Sequence, residues 1–177
     1  VRAAYSYMMV HPGCKMMAPQ GDMPEGLAKC IQILNGLYKS SPALYKLDDD
    51  YDGFEWIQLM KYEENVITFL RKTEKPEETL LVICNFAAIP YENYQVGVPF
   101  AGKYKEVFNS DAAEFGGEGV VNARAKTAKA EECDERDYSI KVKLPALGVS
   151  IYSCTPGKAP AKKKVTVAKT AKTVKGK

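Results

Sequence analysis

From Phe54 onward the chain is a succession of short runs rich in β-branched and aromatic residues, each closed by turn-forming residues. The runs are Phe54–Met60 (FEWIQLM), Val66–Arg71 (VITFLR), Leu80–Phe86 (LLVICNF), Gln95–Val98, Tyr104–Phe108, Tyr138–Leu144 and Leu147–Ser153. Strands this short and this closely spaced predict a mainly β fold, an antiparallel sandwich. Tyr138–Leu144 alternates cleanly: Ile140, Val142 and Leu144 face one way, Ser139, Lys141 and Lys143 the other. Leu80–Phe86 is apolar at nearly every position, which predicts a central strand covered on both sides. Trp56 shares a face with Phe54 and Met60 and is expected in the core.

Ahead of the strands, Asp22-Met23-Pro24-Glu25 has the form of a helix start, with Asp22 as cap and Pro24 in the first turn. Leu27, Cys30, Ile31, Leu34, Leu37 and Tyr38 then recur at helical spacing to about Lys39, and Ser40-Ser41-Pro42 ends the helix. Val1–Val10 reads as the end of a second helix. Asn109–Asn122 is a Gly- and Asp-rich loop, and Ala123–Glu135 a charged, exposed excursion between strands. The stretch from Thr155 to Lys177 holds eight lysines and no acid, and is expected to be disordered. Without it the remainder has 17 basic against 22 acidic residues, which argues against a nucleic-acid-binding body. Nucleic acid then enters only through non-specific contacts of the tail.

The five cysteines are widely spaced and form no C-x-x-C pair, so reduced thiols in a cytoplasmic protein are expected. No apolar run approaches the roughly 18 residues of a membrane-spanning helix, so no membrane partner is expected. The first residue is valine rather than methionine, which suggests that preceding sequence is missing.

The segment MMVHPGCKMM (Met8–Met17) gathers the only histidine, a cysteine and four of the six methionines. Metal binding needs several convergent ligands, and one His without a spaced partner reads as buried structure instead. Asp48-Asp49-Asp50-Tyr51-Asp52-Gly53 echoes a calcium loop, but its twelfth position is Leu59 rather than Glu, so a solvated turn is expected. The Asn109–Gly119 stretch lacks a phosphate-loop pattern and reads as a loop whose Asn and Asp side chains bond their own backbone. Tyr91 and Tyr94 lie in a loop-like segment and are the candidates for exposed, sugar-stacking rings. No carboxylate pair, Ser–His pair or activated cysteine stands out. The chain's own residues therefore predict no catalytic, cofactor or metal site.

In order, MMVHPGCKMM, LNGLYKSSPALYKLD, DGFEWI, VITFLR, LLVICNF, YQVGVP, GKYKEVFNSDAAEFGGEGVVN and LPALGVSIY resemble the C-terminal part of 1,4-α-glucan (glycogen) branching enzymes of glycoside hydrolase family 13. The resemblance runs from about Tyr5 to Tyr152 and is weaker over Ala123–Asp137. It implies a (β/α)8 barrel followed by a β-sandwich. Residues 1–42 would be what remains of the barrel's end, 43–154 the sandwich, and 155–177 a tail. It also implies retaining chemistry by an Asp nucleophile and a Glu acid/base about 5 Å apart, on barrel strands upstream of Val1. The chain alone is thus expected to be structural and inactive, with α-glucan bound through the parent enzyme, and with the missing barrel as a partner. Tyr91 and Tyr94 would be its own glucan contacts. A stand-alone glucan-binding sandwich is the alternative.

The sequence departs from the family where H-P-G-K-K-L should continue into M-G-x-E-F-G-Q. Here Met17-Ala18-Pro19-Gln20-Gly21 leads directly to Asp22. The apolar face of the Asp22–Lys39 helix must then either repack on the sandwich or lie exposed.

Overall fold

The computed structural model describes residues 1–16, 21–58 and 63–158. Two helices, α1 (Arg2–Val10) and α2 (Glu25–Ser40), precede eight strands. These are β1 (Phe54–Gln58), β2 (Val66–Arg71), β3 (Leu80–Asn85), β4 (Tyr91–Val98), β5 (Gly102–Asn109), β6 (Lys126–Thr127), β7 (Tyr138–Leu144) and β8 (Gly148–Pro156). Every strand pair is antiparallel. They form a six-stranded sheet in the order β1-β2-β3-β8-β5-β6 and a two-stranded sheet of β4 and β7.

The six-stranded sheet is the middle layer, because its side chains alternate between two cores. On one side Phe69, Val82, Cys84 and Ile151 cluster with Val10 of α1 and Cys30 and Leu34 of α2. On the other, Leu81, Ile83 and Tyr152 cluster with Val96 of β4 and Ile140, Val142 and Leu144 of β7. All six residues of β3 are buried, as a strand covered on both faces requires. The apolar face of α2 is buried at Leu27, Cys30, Ile31 and Leu34; Cys30 and Leu34 join the sheet-side core, and the helix packs chiefly against α1 and the turn at Ala113–Phe115. Trp56 packs edge-on against Phe54 and Phe69 at ring separations of 4.9 and 5.6 Å, partly buried on the helix side.

Three expectations are corrected and one is refined. Asp22 does not cap α2; Pro24 holds the cap position, and its carbonyl accepts from Leu27 and Ala28. Proline keeps the preceding residue extended, which leaves Asp22 too far from the first turn. Strand β4 begins at Tyr91, four residues before the expected start, and pairs Tyr91 with Leu144 and Tyr94 with Val142. An irregular register between them breaks the period-two pattern, which is why this half resembles a loop. The 123–135 excursion is largely exposed, as expected, but it is laced to the sheet rather than free of it: Ala128 donates to Gly102, and Lys129 exchanges hydrogen bonds with Ser139. Strand β8 continues through Thr155 and Pro156, opposite Lys103 and Gly102, so the tail cannot start at Thr155.

Residues 159–177, the break after Met17 and Met60 of the first expected strand lie outside the described residues. Among the described residues no helix is long and apolar enough to cross a membrane.

Candidate functional site

Of the Met8–Met17 segment the structure describes residues 8–16, and only the first part of these is buried. Met9 and Val10 are inside, whereas Cys14 and Met16 are exposed. His11 sits in an aromatic cluster, its ring 5.1 Å from Tyr7, 5.4 Å from Phe54 and 6.2 Å from Trp56 and Phe69. Among the described residues no three His, Cys, Asp or Glu side chains converge as metal ligands.

The Asp-rich turn is less bland than expected. Asp48 Oδ1 accepts from Arg71 Nη2 at 2.5 Å, and Arg71 has no exposed side-chain surface. Arg71 also donates through Nη1 to Val10 O at 2.9 Å and through Nη2 to Leu44 O at 3.3 Å. Asp48 Oδ2 accepts from Gly13 N at 3.0 Å and lies 3.7 Å from Lys15 Nζ. One buried guanidinium thereby ties together the C-terminal end of α1, the turn after α2, and the sheet. A cation there also faces the negative end of the α1 dipole.

Burial alone would raise the Asp48 carboxyl, but the hydrogen bonds from Arg71 and Gly13 and the charges of Arg71 and Lys15 hold it below the usual carboxylate range. Burial pushes the Lys15 ammonium down, against the pull of Asp48. A lowered carboxylate pKa gives stability that is present above the unfolded value, about 3.9, and lost as pH falls through the folded value. The Asp48→Asn variant should therefore be less stable than wild type at pH 7, and the gap should close as pH falls below the unfolded value of about 3.9 and through the folded one. Urea midpoints measured across that range check this; a gap independent of pH would contradict it.

The Asn109–Asn122 loop bonds itself, as its composition predicts. Asn109 Oδ1 accepts from Asp111 N at 2.9 Å, and the Asp111 carboxylate accepts from Glu118 N and Val120 N at 3.1 Å each. Gly116 and Gly119 take φ of 76° and 81°, and Phe115 folds inward onto Phe108. The loop is also riveted to the sheet by a network that sequence reading did not find. Asn122 donates to Glu106 Oε2 at 2.8 Å, Lys143 O at 2.9 Å and Tyr152 Oη at 2.9 Å, and accepts from Lys143 N at 2.9 Å. Tyr152 Oη donates to Glu106 Oε2 at 3.1 Å, and burial, with that carboxylate beside it, raises its pKa.

Tyr91 and Tyr94 lie together, rings 5.4 Å apart, but not as exposed platforms. Tyr94 is 7% exposed, and its hydroxyl donates to Glu64 Oε2 at 2.9 Å. Burial first, and the Glu64 carboxylate second, push its pKa up. Tyr91 is half-buried.

A wide concavity lies elsewhere. A groove of about 1140 Å³ runs between the first turns of α1 and α2, the 111–118 loop and the turn at Ala146-Leu147. Arg2 supports it, with Nε donating to Ser110 O at 2.8 Å and Nη1 to Phe115 O at 3.3 Å.

The fold defines a class: an antiparallel all-β sandwich backed by two helices. The chain belongs to the family described as alpha amylase, C-terminal all-beta domain, which matches residues 56–155. Among curated proteins it is 35% identical to the 1,4-alpha-glucan branching enzyme GlgB of Oceanobacillus iheyensis, over 86% of this chain and 27% of that protein. It is 36% identical to the GlgB of a Nostoc species, over 85% of this chain and 22% of the relative. The chain thus spans about a quarter of the length of these relatives. Among solved structures, a Nostoc punctiforme debranching enzyme shares the fold at a TM-score of 0.53 and 14% identity, covering 85% of this chain and 31% of that one.

Proposed function

We propose that this chain is the C-terminal part of a 1,4-α-glucan branching enzyme, supplying the end of the catalytic barrel and the sandwich that braces it. The observation carrying this reading is that similarity to the branching enzymes extends over 86% of the chain, beyond the residues 56–155 of the sandwich family itself. A sandwich module alone would not need α1 and α2, whereas a (β/α)8 barrel ends in helices. The helices also start on one side and lead toward the same buried arginine, as consecutive barrel helices would. Their first turns line one groove, and the carbonyls of Val10 and Leu44, at and just after their last turns, meet on Arg71. In the whole enzyme, a nucleophilic carboxylate and an acid/base carboxyl about 5 Å apart would cleave an α-1,4 bond and rejoin the segment through an α-1,6 link. This chain's part is to hold the barrel end in register through Arg71, Asp48 and the covered face of α2.

Two preparations test the reading. The 177-residue chain alone should leave the iodine colour of amylose unchanged. A chimera that keeps the Oceanobacillus iheyensis relative's own sequence up to the start of its last barrel helix, and takes Asp22 onward from this chain, should abolish that colour through branching. A folded but inactive chimera, or branching by the isolated chain, would overturn the proposal.

A further inference from the structure

We infer that Asn35-Gly36 is a spontaneous deamidation site, exposed to the reaction by local opening of the C-terminal turns of α2. Of the chain's asparagines only Asn35 is followed by glycine. The reaction needs no partner and no cofactor. The Gly36 amide nitrogen gives up its proton to solvent and attacks Asn35 Cγ; the new C–N bond closes a succinimide ring, and the carboxamide nitrogen leaves as ammonia. Water then opens the ring at either carbonyl, giving aspartate or isoaspartate, so the net change is one ammonia lost and one water gained. Glycine after the asparagine speeds the attack because it has no Cβ to crowd the nucleophile. Asn109 and Asn122, each followed by a small residue, are instead 5% and 6% exposed, with their amide nitrogens hydrogen-bonded inside the fold.

An intact helix protects the pair. It directs the Gly36 N–H at the Gln32 carbonyl, four residues back, and away from the Asn35 side chain. That protection is weakest at this end of α2. Every buried residue of the helix, Leu27, Cys30, Ile31 and Leu34, lies before Asn35. Beyond it Leu37 and Tyr38 are only partly buried, while Asn35, Gly36, Lys39 and Ser40 are exposed. Glycine inside a helix is also less stable than alanine, and Asn-Gly is a turn-forming pair. A segment with so few buried contacts opens by itself, ahead of the rest of the domain. The pair lines a groove of about 550 Å³ with Met23, Gln32 and Lys39, through which water reaches the ring.

The two products differ in what they do to the fold. Aspartate at position 35 keeps the backbone and sets a carboxylate one turn before Lys39, an i,i+4 pair that a helix tolerates. Isoaspartate routes the main chain through Cγ, lengthens it by a methylene and breaks the helical register. Tyr38 then loses its seat, where its ring lies 6.0 Å from Tyr45 and 5.8 Å from Lys15 Nζ.

The test ages the full 177-residue chain at neutral pH, native and in urea, and follows the tryptic peptide Cys30–Lys39 with isoaspartate detection, alongside isoelectric focusing. Native protein should gain one negative charge, located at Asn35, before any other asparagine reacts. In urea the rate should rise at least about tenfold, the ratio reporting the opening equilibrium. Native hydrogen exchange should be faster at amides 36–40 than at 27–34. Gly36→Ala has open space for its methyl, so it should keep the fold and deamidate at least about fivefold more slowly. Asn35→Asp should keep the circular dichroism of wild type, and the aged isoaspartyl fraction should lose helix signal; the reverse would overturn the assigned damage. No charge gain at Asn35, earlier reaction at another asparagine, equal rates in urea and in native protein, equal exchange along α2, or a Gly36→Ala variant that ages as fast as wild type would each overturn the inference.

Discussion

Replacing Arg71 with methionine is expected to lower the free energy of unfolding by about 3–5 kcal/mol, the usual cost of removing one partner of a buried pair. Methionine keeps much of the apolar stem, so the loss reports the guanidinium rather than a cavity. Without it, Val10 O and Leu44 O lose their donor, and Asp48 keeps only the Gly13 amide at 3.0 Å and Lys15 at 3.7 Å. A carbonyl left unpaired in the interior costs about 1–3 kcal/mol, and a carboxylate more. Urea denaturation gives the magnitude, and hydrogen exchange its place: α1 amides should lose protection before those of β3. The double variant Arg71→Met/Asp48→Asn should cost less than the two single losses together, since each already removes the shared bond. A loss below about 1 kcal/mol for Arg71→Met would show that the guanidinium does not tie the helices to the sheet.

That anchor was illegible in the sequence for a definite reason. VITFLR places arginine at the end of an apolar strand, where a charge ordinarily reaches water, and two of its acceptors are backbone carbonyls that any residue supplies. Nothing distinguishes Asp48 from Asp49 and Asp50 until the turn after α2 aims one of them inward. Features written in side-chain period fared better. The alternation of β7, the double burial of β3 and the inward stripe of α2 depend only on which residues are apolar, so they transferred directly to the fold. Period fails where the backbone slips, as at the irregular pairing between Tyr91 and Tyr94, and the same slip made a buried tyrosine look like a surface ring. The groove was invisible because its walls come from four separate segments of the chain. The family was legible because eight motifs in one order survive where single side-chain contacts do not.

The second large effect is expected from Asn122→Asp, a change of almost no volume. Asn122 is 6% exposed, and its amide nitrogen faces only acceptors: Glu106 Oε2 at 2.8 Å, Lys143 O at 2.9 Å and Tyr152 Oη at 2.9 Å. An aspartate oxygen there would set two carboxylates at hydrogen-bond distance without a proton between them. The only group able to adapt is the Tyr152 hydroxyl, which already donates to Glu106. We expect a loss of about 3 kcal/mol or more at pH 7.5, from an unsatisfied buried carbonyl together with like-charge repulsion. The pH dependence identifies the cause. Two carboxylates sharing a site force one folded-state pKa upward, so the folded variant binds a proton that its unfolded chain, at about 4, does not. Its stability should then rise as pH falls from 7.5 toward 5, and the gap to wild type should narrow. Asn122→Ala also breaks the network but adds no titrating group, so its gap should stay nearly constant over the same range. Urea midpoints at pH 7.5 and 5 for the three proteins decide the matter. If the aspartate and alanine variants respond alike to pH, Glu106 and residue 122 are not coupled in solution, and the loop is held to the sheet by other contacts.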